Sequence, residues 1–259
     1  MKRIAIIATC IIGLAGINFS CSEQDNTSLL EVRLTDAPAD YDEVLIDVRD
    51  VQIHVSGDGD EEGWQSLQVN SGVYNLLDFR NGMDTLLATL ELPAGHVSQM
   101  RLILGDNNLV TIDGEEHHLE TPSAQQSGLK FNIDADLTQG IVYTLWIDFD
   151  AGRSIVKRGN GKYNLKPVIR TFTRATTGAI QGIVSPDIAL PYVMAVSDGD
   201  TTGSYAGDDG RFLLKAIPEG TYQVLFDAAE AYADTVIDGI TVTMGSVTEM
   251  DTVFFRLHE

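Results

Sequence analysis

An all-β fold, built as two tandem antiparallel β-sandwich domains behind a lipoprotein-type signal peptide, is what this sequence predicts. Three observations carry that expectation: apolar residues recur at every second position, turn-forming clusters punctuate those runs, and long helical periodicity is nearly absent. Elements can be assigned in order from the N-terminus. Lys2 and Arg3 precede an uncharged apolar run from Ile4 to Ile17, followed by small or polar residues and Cys21. That is the layout of an export signal. A helix needs about 20 apolar residues to cross the hydrocarbon core. The run is shorter than that, so it is expected to be cleaved off.

The residues at the end of the run decide which peptidase acts. Ser20-Cys21 resembles a lipobox, in which a small residue precedes a cysteine whose thiol takes a diacylglyceryl group; Asn18 and Phe19 stand where a Leu and a small residue are more usual. Cys10 is followed by further apolar residues and does not fit as a new N-terminus. Cys21 is therefore the expected lipidation site, and without Cys10 no disulfide can form within the mature chain. Glu23 and Asp25 follow in a short polar stretch that resembles the Bacteroidota-type lipoprotein export signal, whose acidic residues direct display on the outer face of the outer membrane. Residues 1–20 are expected to be the signal peptide and 21–28 the lipidated tether.

Beyond the tether, Val44, Ile46 and Val48 alternate with polar or outward positions, and the alternation resumes at Val51, Ile53 and Val55 with shifted parity. One extra residue near Arg49-Asp50 would restore the face, which predicts a β-bulge there. Met100, Leu102 and Leu104 mark another strand, as do Tyr143, Leu145, Ile147 and Phe149. The one helix candidate is Asp84 to Leu90, with Leu86, Leu87 and Leu90 on one helical face. Gly57-Asp58-Gly59, Asp106-Asn107-Asn108, Asp113-Gly114, Gly159-Asn160-Gly161 and Asp209-Gly210 supply the turns. Near Thr171 to Gly178 the composition shifts to Thr, Arg, Ala and Gly, and a new series of strands begins at Ala179. The sandwiches are expected over 29–172 and 178–259.

Several blocks in the first segment carry a family resemblance: Leu34-Thr35-Asp36-Ala37-Pro38, Leu76-Leu77-Asp78-Phe79, Leu92-Pro93-Ala94-Gly95, Arg101-Leu102, Gly128-Leu129-Lys130, Asp148-Phe149-Asp150-Ala151 and Leu165-Lys166-Pro167-Val168. Together they resemble the bacterial lipoprotein family known as the domain of unknown function DUF4382, which implies no activity. The second segment is similar to carboxypeptidase-regulatory-like modules, small sandwiches of transthyretin-like topology whose wider superfamily includes glycan-binding members. That likeness rests on Gly182-Ile183-Val184, Asp209-Gly210-Arg211-Phe212 and Ile217-Pro218-Glu219-Gly220-Thr221-Tyr222. Ala231-Tyr232 departs from the Gly-Tyr often found in such modules.

Charge and motifs narrow the function. The formal net charge of −21, with no compensating basic cluster, sets the chain against phosphate backbones, so no nucleic-acid partner is expected. Gly-x-Ser-x-Gly, phosphate-loop and His-Glu-x-x-His motifs are absent, as is a zinc-type cysteine pair. In Glu115-Glu116-His117-His118 a two-residue turn at Asp113-Gly114 would put His117 opposite Val110 and His118 opposite Leu109, on opposite faces, so one ion cannot easily collect both. Asp58 to Gly63 opens like a calcium loop but has Val69 at the twelfth position; Asp198 to Gly203 reaches Asp209 there but lacks flanking helices. Both read as strand-end turns, and no metal or cofactor is expected. Asp148 and Asp150 are expected about 6.6 Å apart along one strand, on the face of Trp146, with Arg153 or Lys157 available to neutralise them. This pattern could suit a glycosidase pair or a sugar site, but it reads more simply as an ordinary outer strand face whose acids are neutralised in place.

The expectation is a non-enzymatic protein, lipid-anchored in the cell outer membrane and facing outward, that binds a glycan or protein ligand or mediates adhesion. The alternative is a structural component of an envelope or fimbria-like assembly.

Overall fold

The computed structural model describes residues 26–37, 39–55, 64–121 and 128–258. Cys21, Glu23 and Asp25, the signal segment and the acidic turn at 58–63 lie outside the described residues. The chain is all-β, as its period of two requires. Its first fourteen strands are β1 (Thr27–Asp36), β2 (Glu43–Val55), β3 (Trp64–Ser66), β4 (Gln68–Val69), β5 (Gly72–Asn75), β6 (Thr85–Pro93), β7 (Gly95–Leu104), β8 (Leu109–Ile112), β9 (Glu115–Glu120), β10 (Leu129–Leu137), β11 (Val142–Phe149), β12 (Ile155–Lys157), β13 (Tyr163–Leu165) and β14 (Ile169–Ala175). Eight more follow: β15 (Gly178–Ser185), β16 (Tyr192–Ser197), β17 (Asp200–Tyr205), β18 (Arg211–Ile217), β19 (Gly220–Asp227), β20 (Thr235–Val242), β21 (Val247–Glu249) and β22 (Val253–Phe254). A single helical turn, α1 (Ala151–Ser154), follows β11.

The first strands form two sheets. One has the order β14-β11-β1-β6-β4; the other runs β10-β7-β2-β8-β9-β13-β12, with β3 and β5 also paired to β2. Alternation explains why they face each other: β1 buries Leu30, Val32 and Leu34, β11 buries Leu145, Ile147 and Phe149, and β2 buries Val44, Ile46, Val48, Val51 and Ile53 from the opposite sheet. Each fully buried side chain of this size contributes about 1.5–3 kcal/mol, so the facing rows drive the layers together. The register of β2 against β7 shifts between Val48 and Asp50, which leaves Arg49 exposed as the extra residue of the expected bulge.

The expected helix at Asp84 to Leu90 is instead strand β6. The pairing of β6 with β1 slips between Val32 and Arg33, skipping Leu87, so that Leu87 and Ala88 are both buried in succession. Leu86, paired with the outward-facing Arg33, lies on the other face, so the three leucines that share one helical face are divided between the two sides of the strand. β1 lies parallel to β11 and antiparallel to β6, a mixed arrangement that alternation alone cannot reveal.

The later strands form two smaller sheets, β18-β15-β21 with β22 on β15, and β17-β16-β19-β20. Their own core contains Ile180, Val193, Phe212, Leu214, Val224 and Phe226. The edge-to-face contact of Phe212 with Phe226, at 5.5 Å and 80°, locks the two sheets together. Between the two sets, β14 runs through Arg174, which pairs with Thr144, as far as Ala175, and only Thr176 and Thr177 precede β15. This junction is hydrogen-bonded: the Thr176 amide donates to the Val142 carbonyl, the Gly245 amide to that of Thr177, and the Ala216 amide to that of Gly140.

Candidate functional site on the outer face of the first sheet

Alternation along β11 turns Tyr143, Leu145, Ile147 and Phe149 inward and leaves Trp146 and Asp148 on the outer face. Asp150 does not join them. It lies past the end of β11 as the N-cap of α1, its Oδ1 accepting from the Arg153 amide at 3.0 Å, and it is buried. The expected Asp148/Asp150 pair on one face is therefore absent, because the chain leaves the strand at Asp150 to wind the turn. Nor does Arg153 or Lys157 neutralise Asp148. That role falls to Arg170, directly across on β14, with Nη2 2.7 Å from Asp148 Oδ2.

The cross-strand register sets the rest of this face in rows. Arg33 on β1 pairs with Trp146, which pairs with Phe172 on β14; one row along, Thr35 pairs with Asp148, which pairs with Arg170. Trp146 and Phe172 stack with centroids 5.0 Å apart and planes inclined by only 12°. Phe172 is 54% exposed, so an aromatic face is open to solvent. The Trp146 indole is held from its other side: Nε1 donates to Asp84 Oδ2 at 2.9 Å, while Asp84 Oδ1 accepts from Arg33 Nη1 at 2.6 Å. The result is a stacked aromatic pair, open to solvent at Phe172, between two carboxylate–guanidinium pairs. Such a pair can stack on the apolar face of a sugar ring and offers donors and acceptors to hydroxyls at its border. Of these residues, the sequence pointed only to Trp146 and Asp148. The alternation Arg170-Thr171-Phe172-Thr173-Arg174 is a signal for an outer face that could have found Phe172; nothing local marks Arg33 or Asp84 as its neighbours.

The end of the same sheet gathers several of the sequence blocks singled out above. Asp36 Oδ1 accepts from the Ala151 amide at 3.0 Å, and the Thr35 hydroxyl donates to the Phe79 carbonyl. The Ser154 hydroxyl donates to the Asp150 carbonyl and accepts from the Val168 amide. Burial of Asp36 raises its pKa to about 7, with the charges of Asp148 and Asp150 adding to the rise, while the Ala151 hydrogen bond and Arg80 act against it. Asp36 Oδ2 is buried with no partner.

The remaining candidates separate. Val110 pairs with His117 and Leu109 with His118, so the two imidazoles point to opposite faces; the His117 ring packs 4.7 Å from that of Tyr163. Asp198 sits at the β16–β17 turn and Asp209 at the far end of β17, separated by that strand, so they cannot wrap one ion. Among the described residues no group of three or more His, Cys, Asp or Glu side chains could hold a metal. On the other sheet two cations from the family blocks meet an aromatic ring that no block contains: Arg101 sits 4.4 Å over the Trp64 ring and Lys130 5.3 Å from it.

Residues 27–167 match the family described as Domain of unknown function (DUF4382). No curated protein matches the chain. Among solved structures, the chain is similar to a type II cohesin–X-dockerin complex from Acetivibrio cellulolyticus, at 20% identity over 31% of this chain and 58% of that one, with a TM-score of 0.26. It is also similar to the Bacillus anthracis TIE protein, at 12% identity over 89% of this chain and 34% of that one, TM-score 0.26. A third is GBS52, the minor pilin of Streptococcus agalactiae, at 10% identity over 88% of this chain and 96% of that one, TM-score 0.25. The chain thus spans less than two thirds of the length of the first two.

Proposed function

Taking as premise that this chain belongs to the Domain of unknown function (DUF4382) family, we propose that it is a non-enzymatic binding protein of the cell envelope. In this reading it is anchored in the outer membrane through an acylated Cys21 and turned outward by Glu23 and Asp25. It recognises an extracellular glycan with the outer face of its first sheet, and the second set of strands is a transthyretin-like module. The observation that carries the binding role is the parallel-stacked Trp146–Phe172 pair, exposed at Phe172 and bordered by Arg33–Asp84 and Asp148–Arg170. Flat aromatic surface is suited to the C–H face of a pyranose, and charged groups already paired with one another are fixed in place before a ligand arrives. The N-terminal layout of Lys2, Arg3, Ile4 to Ile17 and Cys21 supports the anchor.

Three experiments test this. Glycan-array binding by the purified protein should be weakened at least about tenfold by Phe172→Ala, since exposed aromatic anchors commonly dominate such surfaces. Binding that survives that change, and also Trp146→Phe with Arg170→Ala, would move the site elsewhere. Radiolabelled fatty acid should enter the wild-type protein and not Cys21→Ala. Protease added to intact cells should digest the wild type and spare a Glu23→Ala, Asp25→Ala double variant; protection of both would favour a periplasmic assembly role.

A further inference from the structure

The sheet β17-β16-β19-β20 ends in two edges of different character. At β20 the register against β19 shifts between Tyr222 and Val224, where Gly239 adopts a φ of +75°; a bulge of this kind twists an edge out of reach of another strand. β17 carries no such device. It pairs with β16 through six consecutive residues without a shift, contains neither Pro nor Lys, and is exposed at every position except the half-buried Ser204. The two-residue turn at Asp198 and Gly199, with φ of +51° and +90°, fixes which backbone groups are free. Its closing pair, Ser197 and Asp200, exchanges hydrogen bonds, so Asp200, Thr202 and Ser204 are bonded to β16. The Ala206 amide, donating to the Pro191 carbonyl at 3.0 Å, keeps the same parity. The amides and carbonyls of Thr201, Gly203 and Tyr205 therefore point away from the sheet, with the Tyr205 carbonyl accepting from the neighbouring Ser204 hydroxyl at 3.3 Å.

Beside this free edge lies a cleft of about 730 Å³, bounded by the inner side of the β16–β17 hairpin, by Tyr222 and by the Pro218-Glu219 turn. It stands open because β18, the nearest strand of the facing sheet, is itself an edge. Asp198, Asp200 and Glu219 line it, and among the described residues none of the three carboxylates has an ion pair or a side-chain hydrogen bond. Three uncompensated carboxylates favour a cationic occupant. A second copy of this chain is disfavoured twice, by its net charge of −21 and by the Asp200 it would bring to the same seam.

We infer that β17 is a strand-addition site for an extended, basic segment of another polypeptide. Backbone pairing runs along Thr201, Gly203 and Tyr205, and Lys or Arg side chains from alternate positions enter the cleft beside Asp200 and Glu219. Six paired residues span about 20 Å, the length of an ordinary strand. This goes beyond the glycan surface proposed above and is independent of it, since the two lie on different sheets.

The test uses the full chain purified in detergent and two acetylated, amidated hexapeptides, one alternating Thr with Lys and the other alternating Thr with Glu, followed by isothermal titration calorimetry. The Lys peptide should bind and the Glu peptide should not. Asp200→Asn with Glu219→Gln should weaken binding at least about tenfold, as expected for losing charge-assisted contacts. Thr201→Pro removes one outward amide without touching the β16 ladder, and edge strands tolerate proline at such a position; it should weaken binding while leaving the circular dichroism and melting temperature of the protein intact. Hydrogen exchange at Thr201 and Gly203 should slow on adding the Lys peptide. No binding at millimolar peptide, equal binding of both peptides, or undiminished binding by Thr201→Pro would overturn strand addition. Binding of lysine amide as tight as that of the hexapeptide would overturn it too, leaving only a cation pocket. Phe172→Ala should have no effect here, so failure of either proposal can be told from failure of the other.

Discussion

Asp36 occupies the last inward-facing position of β1, and that placement explains its chemistry. The alternation that buries Leu30, Val32 and Leu34 carries Asp36 to 5% exposure, and one of its oxygens has no partner. A carboxyl whose pKa is about 7 when folded, against an ordinary value of 3.8, holds its proton more tightly in the folded protein. For this group the folded state therefore binds more protons, so its contribution to stability is fully present below about pH 4 and is lost as pH rises toward 7. The difference corresponds to roughly 4 kcal/mol at most. Asp36→Asn keeps an acceptor for the Ala151 amide and removes the titration. Urea denaturation should therefore show the variant gaining stability relative to wild type between pH 5 and pH 8. A difference between the two proteins that is the same at both pH values would show that Asp36 does not titrate there. The sequence block Leu34 to Pro38 marked this aspartate, but nothing local showed that its oxygen would meet the amide of Ala151, more than a hundred residues away.

Strands were legible where alternation was clean, as in β7 and β11, and harder to read where a bulge broke the parity, as at Arg49-Asp50 in β2 and Leu87 in β6. The difference is physical. A bulge is a response to the neighbouring strand, so its position depends on a pairing that local sequence does not contain. At Arg49-Asp50 the parity shift fell between two long apolar runs and could be seen; at Leu87 it fell in a short run whose Leu86, Leu87 and Leu90 also share one helical face. A similar dependence on partners governs Gly182 on β15. A Cβ there would lie 2.8 Å from Phe212 Cζ and 3.2 Å from Met250 Cβ, and the Phe212 ring is held by Phe226. Gly182→Ala is expected to cost about 1–3 kcal/mol, the usual range for overpacking a core. The check is the urea midpoint at constant m-value, and an unchanged midpoint would mean that the Phe212 ring yields freely.

At the scale of the whole molecule, the two sets of strands meet tightly. Ala179 and Leu213, from the later strands, are buried in the core of the first set. Gly140, at φ +77°, lies where a Cβ would come within 3.3 Å of Ala179 Cβ and 3.4 Å of Lys215 Cγ. Gly140→Val adds both backbone strain and a clash, so it is expected to destabilise by about 1–3 kcal/mol. It should also loosen the coupling, splitting or broadening the calorimetric unfolding transition. An unaltered thermogram would show that the junction transmits nothing. Limited proteolysis offers a second view: Arg174 is paired within β14, so tryptic cleavage there should be slow in the native protein and faster in Gly140→Val.

By itself the sequence determined the class of fold, the acidic character of the chain, turns such as Asp113-Gly114 and Asp209-Gly210, and the inward faces of β2, β7 and β11. Each of these follows from residues within one or two turns of each other along the chain. Which outward residues meet was decided by tertiary structure alone. The Arg33–Trp146–Phe172 row and its Asp84 clamp join four separate stretches of chain through a mixed parallel and antiparallel register. The expected Asp148/Asp150 pair was dissolved by a single helical turn whose N-cap the second aspartate became. Side-chain period is a property of one strand, whereas a surface is a property of how strands are ordered, and that order is set by which apolar faces can be buried together.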